Sequence, residues 1–335
     1  MRLDVALAFD ENYVQHAAVC IESIILNNLS DFESVNIHIL ENGISILNKE
    51  KLKKIYQDFS AVNVFYYPQV DLEEKVHPII KNYASISTYS RLLLASLLDK
   101  EIEKVIYLDC DGVVLGSLLD LYYLKIDNYY VGGVIDDVID CFHKERYGLA
   151  PEQNYINAGF LLINLKKWRQ DGAERKLLNC ANTFEEELIY WDQEVINMVF
   201  QDEILIIDPK YNLKPTAFLY SWKKRYSIVN KNNYYSKKDL FNAKKEPIYI
   251  HFHASPYGRP WESSCLHPKR KAYDDYLLLT PWHDSKKIGR SFSFKEKIKK
   301  KIFFLIHYKL AYKNLIKIYG YCGNFFKLLG GKANS

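Results

Sequence analysis

The amino-acid sequence predicts an α/β fold built on a parallel sheet flanked by helices. Three observations carry this. Short apolar runs alternate with stretches of helical period through the first 108 residues, the order expected of strands and crossover helices. Acidic residues stand directly after two of the runs, at Asp10 and at Asp109 and Asp111. Open parallel sheets bind ligands beyond the carboxyl ends of their strands, so these acids point to one crevice. Neither a G-x-G-x-x-G after the first run nor a G-x-x-x-x-G-K-[ST] anywhere is present, which argues against a dinucleotide site or a P-loop.

The elements follow in order. Residues 5–9 are an apolar run ending in Asp10, Glu11 and Asn12, a buried strand followed by a polar loop. Residues 13–27 place Val14, Ala17, Ala18, Ile21, Ile24 and Ile25 at helical spacing,. Residues 35–40 are a second strand, 47–59 a second helix and 62–67 a third strand. A helix is expected over 87–98, then a fourth strand over 104–108 running into Asp109, Cys110 and Asp111. Residues 131–135 are an apolar run ending at Asp136, and 248–250 a short strand leading to His251.

The chain has 335 residues, 48% of them hydrophobic, enough for a full core,. It carries no glycine repeat and no sustained heptads, which excludes collagen, coiled coils and solenoids. No run of about 18 apolar residues predicts a spanning helix. An acid at Asp4 interrupts the place where a signal peptide keeps its apolar stretch, so an intracellular chain is expected,. Cysteines 20, 110, 141, 180, 265 and 322 form no C-x-x-C pair and read as reduced thiols,.

The net charge of +4 hides an asymmetry. Residues 286–335 hold 13 Lys and Arg against the single acid Glu296, which leaves −8 for the rest. The tail interleaves its lysines with Phe303, Phe304, Leu310, Tyr312, Ile316, Phe325 and Phe326. That pattern makes basic amphipathic helices, suited to an anionic membrane surface. Packing on the body is the alternative, and the acidic body speaks against nucleic acid. A folded domain over 1–285 and a membrane-association segment over 286–335 are therefore expected, in a cytoplasmic protein peripheral at the inner face of the cell membrane.

Asp109 and Asp111 are separated by one residue, so extended backbone turns both carboxylates to one side. Like charges repel there unless a cation neutralises them, and oxygen ligands suit Mg²⁺ or Mn²⁺. His251 and His253 follow a strand far downstream, and imidazole favours Mn²⁺ over Mg²⁺. Either histidine fits from sequence, because alternate strand residues share a face. Arg259 offers a planar fork of donors for a diphosphate. Together these groups suit departure of a nucleotide from a sugar, with the ion and the arginine neutralising the leaving diphosphate.

At this point the chain resembles a known family. Ala8 to Tyr13, Ser87 to Arg91, Tyr107 to Asp111, Tyr155 to Asn164, Trp191 to Glu194, Tyr211 to Pro215 and His251 to Trp261 stand in the order of the motifs of the retaining glycosyltransferases of family 8. The likeness covers most of residues 3–285 and is strongest to bacterial lipooligosaccharide α-galactosyltransferases, with glycogenin more distant. It implies a GT-A fold, a Rossmann-like, mixed but mostly parallel sheet flanked by helices. It also implies a UDP-hexose donor, galactose or glucose, a Mn²⁺ or Mg²⁺ cofactor and a saccharide acceptor, lipid- or protein-linked. By the same likeness Ala8, Asp10, Asn12 and Tyr13 hold uracil and ribose, and Asp109, Asp111 and His251 hold the metal. Arg91, Cys110, Asp136, Asn157, Ala158 and Arg259 line the rest of the donor site, and Asp192 and Gln193 sit at the anomeric carbon.

Retention leaves two mechanisms open: double displacement, with Asp192 as nucleophile, or front-face transfer, with Gln193 stabilising an oxocarbenium-like centre through its carbonyl oxygen. Front-face transfer is favoured because an amide is a poor nucleophile. The sequence departs from the family pattern where Ala254 replaces a glycine, Arg259 a lysine, and Tyr83 a frequent histidine. Tyr220, Trp222 and Tyr226 suit either stacking on acceptor sugars or covering the core. A catalytically inactive relative that binds glycans or partner proteins is the alternative reading.

Overall fold

A computed structural model describes residues 1–68, 86–184, 187–229, 234–253, 257–289, 295 and 298. Strand β1 (Arg2–Asp10) leads into helix α1 (Val14–Asn28), β2 (Ser34–Asn42), α2 (Ile46–Tyr56) and β3 (Val62–Pro68). A short helix α3 (Ile86–Ser90) precedes β4 (Lys104–Leu108), β5 (Gly112–Val114), β6 (Val131–Ile135) and β7 (Ile156–Asn164). Then come α4 (Ala173–Thr183), α5 (Asp192–Phe200), β8 (Ile204–Ile206), α6 (Trp222–Ile228), α7 (Lys237–Lys245), β9 (Tyr249–His251) and α8 (Arg270–Leu277).

Seven strands form one sheet in the order β3-β2-β1-β4-β7-β6-β8. The pairs β1–β2, β2–β3, β1–β4 and β6–β8 are parallel, while β7 runs antiparallel to both β4 and β6. This is the expected mixed, mostly parallel sheet. Alternation along β1 feeds two cores, one on each face. Leu3, Val5, Leu7 and Phe9 pack with α1. Ala6 and Ala8 face the other way, where their small side chains admit Leu92, Leu93 and Leu94. A second, two-stranded sheet pairs β5 with β9 in antiparallel register, Gly112 opposite His251.

One expected element is corrected. The helix over 87–98 is not continuous: α3 passes into a 3₁₀ turn, Arg91–Leu93, before a single helical turn at Leu94–Leu97. Arg91 Nε donates to Thr88 O at 3.1 Å, and its Nη1 reaches Ala158 O at 2.7 Å. The inward pull on this side chain accompanies the tightening of the turn. Strands β1 and β2 run a few residues beyond their apolar runs because parallel pairing continues to Asp10 and Asn42. Tyr83, Ala254 and nearly all of the basic tail lie outside the described residues. Among the described residues no helix is long and apolar enough to cross a membrane, and Cys20, Cys110, Cys141, Cys180 and Cys265 are free thiols.

Candidate active site

The carboxyl ends of β1 and β4 lie side by side, because these strands pair in parallel. Asp10 ends β1 and caps the next turn, its Oδ1 accepting from Asn12 N at 3.0 Å. Ala8 is buried below it, Asn12 is exposed and Tyr13 half-buried. Asp109 and Asp111 span the link from β4 to β5. Pairing of β5 with β9 then delivers His251, which lies 2.9 Å from Asp111 Oδ1 and 3.7 Å from Asp109 Oδ2 through its Nε2.

One ligand atom from each of Asp109, Asp111 and His251 falls within 4.8 Å of the others. Two anionic oxygens and one imidazole nitrogen converging in this way fit a divalent ion of the Mn²⁺ type. Burial opposes charge on Asp111, but His251 and Arg259 outweigh it and hold the carboxyl well below its usual range. Burial likewise opposes protonation of His251, yet Asp111 and Asp109 raise its pKa. An entering cation would displace that proton. Gly159 forms the wall of the site: a Cβ there would stand 2.7 Å from Asp109 Oδ2 and overlap the His251 ring. Asp109 is fixed from behind, its N–H donating to Gly159 O at 2.9 Å and its carbonyl accepting from Tyr249 Oη at 2.5 Å.

Buried Arg91 joins this cluster to the next. Its Nη2 lies 2.9 Å from Asp109 Oδ1, its Nε 3.0 Å from Asp192 Oδ2, and its guanidinium 4.1 Å from the centre of the Tyr107 ring. The Asp192 contact is an ion pair without an aligned hydrogen bond, since the Nε–H points to Thr88 O. Burial pushes the Asp192 carboxyl up to about 7, against the pull of Arg91.

Gln193 follows on α5. Its Oε1 accepts from Asn157 Nδ2 at 2.8 Å and from Ala158 N at 3.1 Å. Asp136 Oδ2 accepts from Asn157 Nδ2 at 3.0 Å and from Gln193 Nε2 at 3.3 Å. Asn212 Nδ2 donates to Asn157 Oδ1 at 2.9 Å. The residue before Asp192, Trp191, has φ of 53°, a conformation that costs a bulky residue energy and is held only where its surroundings compel it. Beside it Glu194 accepts from Tyr190 N at 2.6 Å while pairing with His143 Nε2 at 3.0 Å.

Arg259 meets Tyr13 from the far end of the chain. Its Nη1 hydrogen-bonds the Tyr13 hydroxyl, and its guanidinium sits 5.5 Å from the Tyr13 ring and 5.4 Å from the Trp261 ring. Trp261 in turn stacks on His16 at 3.6 Å. His253 packs edge-on against His251 at 4.6 Å but is not one of the three clustered ligands. Burial, with His251 and Lys214 nearby, lowers its pKa to about 3. Cys110 and Ala158 are buried and belong to opposite cores. Tyr220 is buried, while Trp222 and Tyr226 stack on each other at 4.6 Å and remain half-buried.

Residues 4–265 match the sequence model of Glycosyl transferase family 8. The chain belongs to that family. A Haemophilus influenzae protein provisionally assigned as a glycosyltransferase is 30% identical over 268 residues, 79% of this chain and 74% of that one. A lipopolysaccharide 1,2-glucosyltransferase of Escherichia coli is 26% identical over 303 residues, 88% of this chain and 84% of that one. The crystal structure of the galactosyltransferase LgtC with donor and acceptor sugar analogs has the same fold, with a TM-score of 0.69 at 23% identity, covering 89% of this chain and all of that one. The GT-A architecture expected from the motifs is therefore the architecture of this family 8 chain.

Four charged or polar residues of the site had no role assigned from sequence. Asn212 and Lys214 stand inside a quoted motif, and Lys214 between Leu213 and Pro215 is an isolated cation in an apolar setting, which was the available signal. Asp137 and Arg225 are 88 residues apart and look like ordinary surface charges in sequence, but they pair in the interior.

Proposed function

We propose that this chain is a Mn²⁺-dependent retaining hexosyltransferase that moves galactose or glucose from a UDP-sugar to a saccharide acceptor of a cell-surface, lipopolysaccharide-type glycan. The observation that carries the reading is the Asp109, Asp111 and His251 cluster, linked by Arg91 to Asp192 and lying beside Gln193 and Asp136. In this reading the ion, when bound, neutralises the leaving diphosphate. Arg259 supports the same charge, and Tyr13 stacks on the base. Asp136 and Asn157 orient the sugar hydroxyls.

Front-face transfer is the mechanism these contacts support best. Asp192 is engaged by Arg91, and the Gln193 carbonyl is already oriented by Asn157 and Ala158. Gln193 thus presents a fixed dipole to a developing cationic centre rather than a nucleophile. The basic segment 286–335 attaches the domain of residues 1–285 to the anionic inner face of the cell membrane, where a lipid-linked acceptor is presented.

The test is UDP release from a panel of UDP-sugars with Mn²⁺ or EDTA, without acceptor. Slow hydrolysis of one UDP-hexose, abolished by EDTA, supports the reading; activity without any divalent ion sinks it. Binding of UDP without turnover of any donor, even with acceptors supplied, favours the inactive glycan-binding relative.

A further inference from the structure

Asp136 and Asp137 are consecutive carboxylates, and their side chains are only 6% and 5% exposed. Two like charges cannot stay ionised in such a place without compensation. Compensation comes from one distant segment, between β8 and β9. Lys214 Nζ lies 2.9 Å from Asp136 Oδ1, 3.5 Å from Asp137 Oδ1 and 3.4 Å from Ile135 O. Arg225 Nη1, on α6, lies 3.2 Å from Asp137 Oδ2, and Thr216 Oγ1 donates to Asp137 Oδ1 at 2.8 Å. The four charged groups balance, two carboxylates against one ammonium and one guanidinium.

The balance reaches the reaction site through Asp136. Its Oδ1 is held by Lys214 and by Val138 N at 3.3 Å. That leaves Oδ2 to accept from Asn157 and Gln193. Burial alone would raise the Asp136 carboxyl; Lys214 and Asn157 bring it down to about 2. A buried charge set of this kind adds little net stability compared with apolar packing of the same volume. What it does supply is one orientation of a carboxylate on which two neighbouring amides depend.

We propose that Lys214, braced by Asp137 and Arg225, is a positioning residue for the donor-sugar pocket, keeping Asp136 ionised and turned so that Asn157 and Gln193 hold their working rotamers. The assignment rests on the hexosyltransferase reading above, and it goes beyond that reading by placing the control of the sugar pocket in the segment that carries Trp222 and Tyr226. Lys214 acts without touching the sugar. Its contacts are to Asp136, Asp137 and Ile135 O, so its loss acts first on what holds the hexose, and it also removes a charge that lowers the pKa of the neighbouring His253 and His251.

The experiment compares the full chain with Lys214→Met, Lys214→Arg and Asp137→Asn in the presence of Mn²⁺. Binding of UDP and of the turned-over UDP-hexose is measured by calorimetry, and donor hydrolysis by UDP release across pH. Lys214→Met is expected to bind UDP as the parent does, to lose kcat by roughly 100-fold through a misplaced pocket, and to show a new fall in rate on the acid side as Asp136 becomes protonated. Lys214→Arg, which keeps the charge, is expected to recover part of kcat without that acid fall. Should Lys214→Met fail to fold, Asp137→Asn decides, with a smaller kcat loss and unchanged UDP binding expected. Unchanged kcat and pH profile in a folded Lys214→Met, or in Asp137→Asn if that variant must stand in, overturns the proposal while leaving the hexosyltransferase reading intact. Absence of UDP-sugar binding by the parent chain overturns that reading itself, and the pocket assignment with it.

Discussion

At Asp109 two partners meet: Arg91 and His251 each lie within 4 Å of one of its oxygens, and His251 also reaches Asp111. Asp109→Ala removes a ligand and strands Arg91 beside Asp192. UDP release from the hexose donor should then fall by roughly 10²- to 10³-fold, with Mn²⁺ binding weakened in calorimetry. Gly159→Ala tests the same site from its wall. The added Cβ intrudes on Asp109 and His251, so Mn²⁺ affinity should drop while the far-ultraviolet circular dichroism stays that of the parent.

Asp192 carries a prediction about pH. Its carboxyl, raised to about 7 chiefly by burial, binds a proton in the folded chain that the unfolded chain has already released. Stability from this group is present below the unfolded value of about 3.9 and is lost as pH rises through about 7. In the native protein, urea denaturation between about pH 4 and pH 7 should show stability falling with pH from this source. Asp192→Asn removes the titration, and its profile should be flatter over that window. An equally steep profile in the variant would assign the slope to another group.

At the scale of elements, the site depends on one short pairing. β5 and β9 bring Asp111 and His251 together because Gly112 faces His251 in register. A Cβ at Gly112 would enter the ring of Tyr249, whose hydroxyl also holds the Asp109 carbonyl. Gly112→Ala should therefore cost about 1–3 kcal/mol of stability, read as a lower thermal midpoint, and should weaken Mn²⁺ binding more than UDP binding. The strand and helix periods that predicted β1 to β4 operate within about ten residues, which is why those elements were legible. The break in the helix after Ser90 was not, because it coincides with a side chain pulled inward to Ala158, 67 residues away. A hydrophobic pattern carries no record of that contact.

At the scale of the whole molecule, charge is divided between an acidic body and a basic tail, −8 against +12. If the tail is the membrane segment, a chain ending at residue 285 should keep Mn²⁺-dependent UDP release while losing flotation with anionic vesicles. The full chain should lose flotation as salt rises, since surface attraction is screened over about 8–10 Å at physiological ionic strength. A full chain that stays free of anionic vesicles at low salt would refute the membrane assignment.

The sequence by itself determined the fold class, the order of the site motifs along the chain and the membership of family 8 that they announced. It also placed Asp10, Asp109 and Asp111 at strand ends, because strand period and apolar burial are local properties of the chain. Only the tertiary structure decided which histidine faces the two aspartates, since His251 and His253 are equivalent on an isolated strand and differ through pairing with β5. It alone turned Arg91 inward between Asp109 and Asp192, and it alone gathered Lys214, Arg225 and Asp137 behind Asp136. Those assignments rest on pairs of charges far apart in the chain. Such pairs form because burial forces each charge to find a counter-charge wherever the fold brings one near.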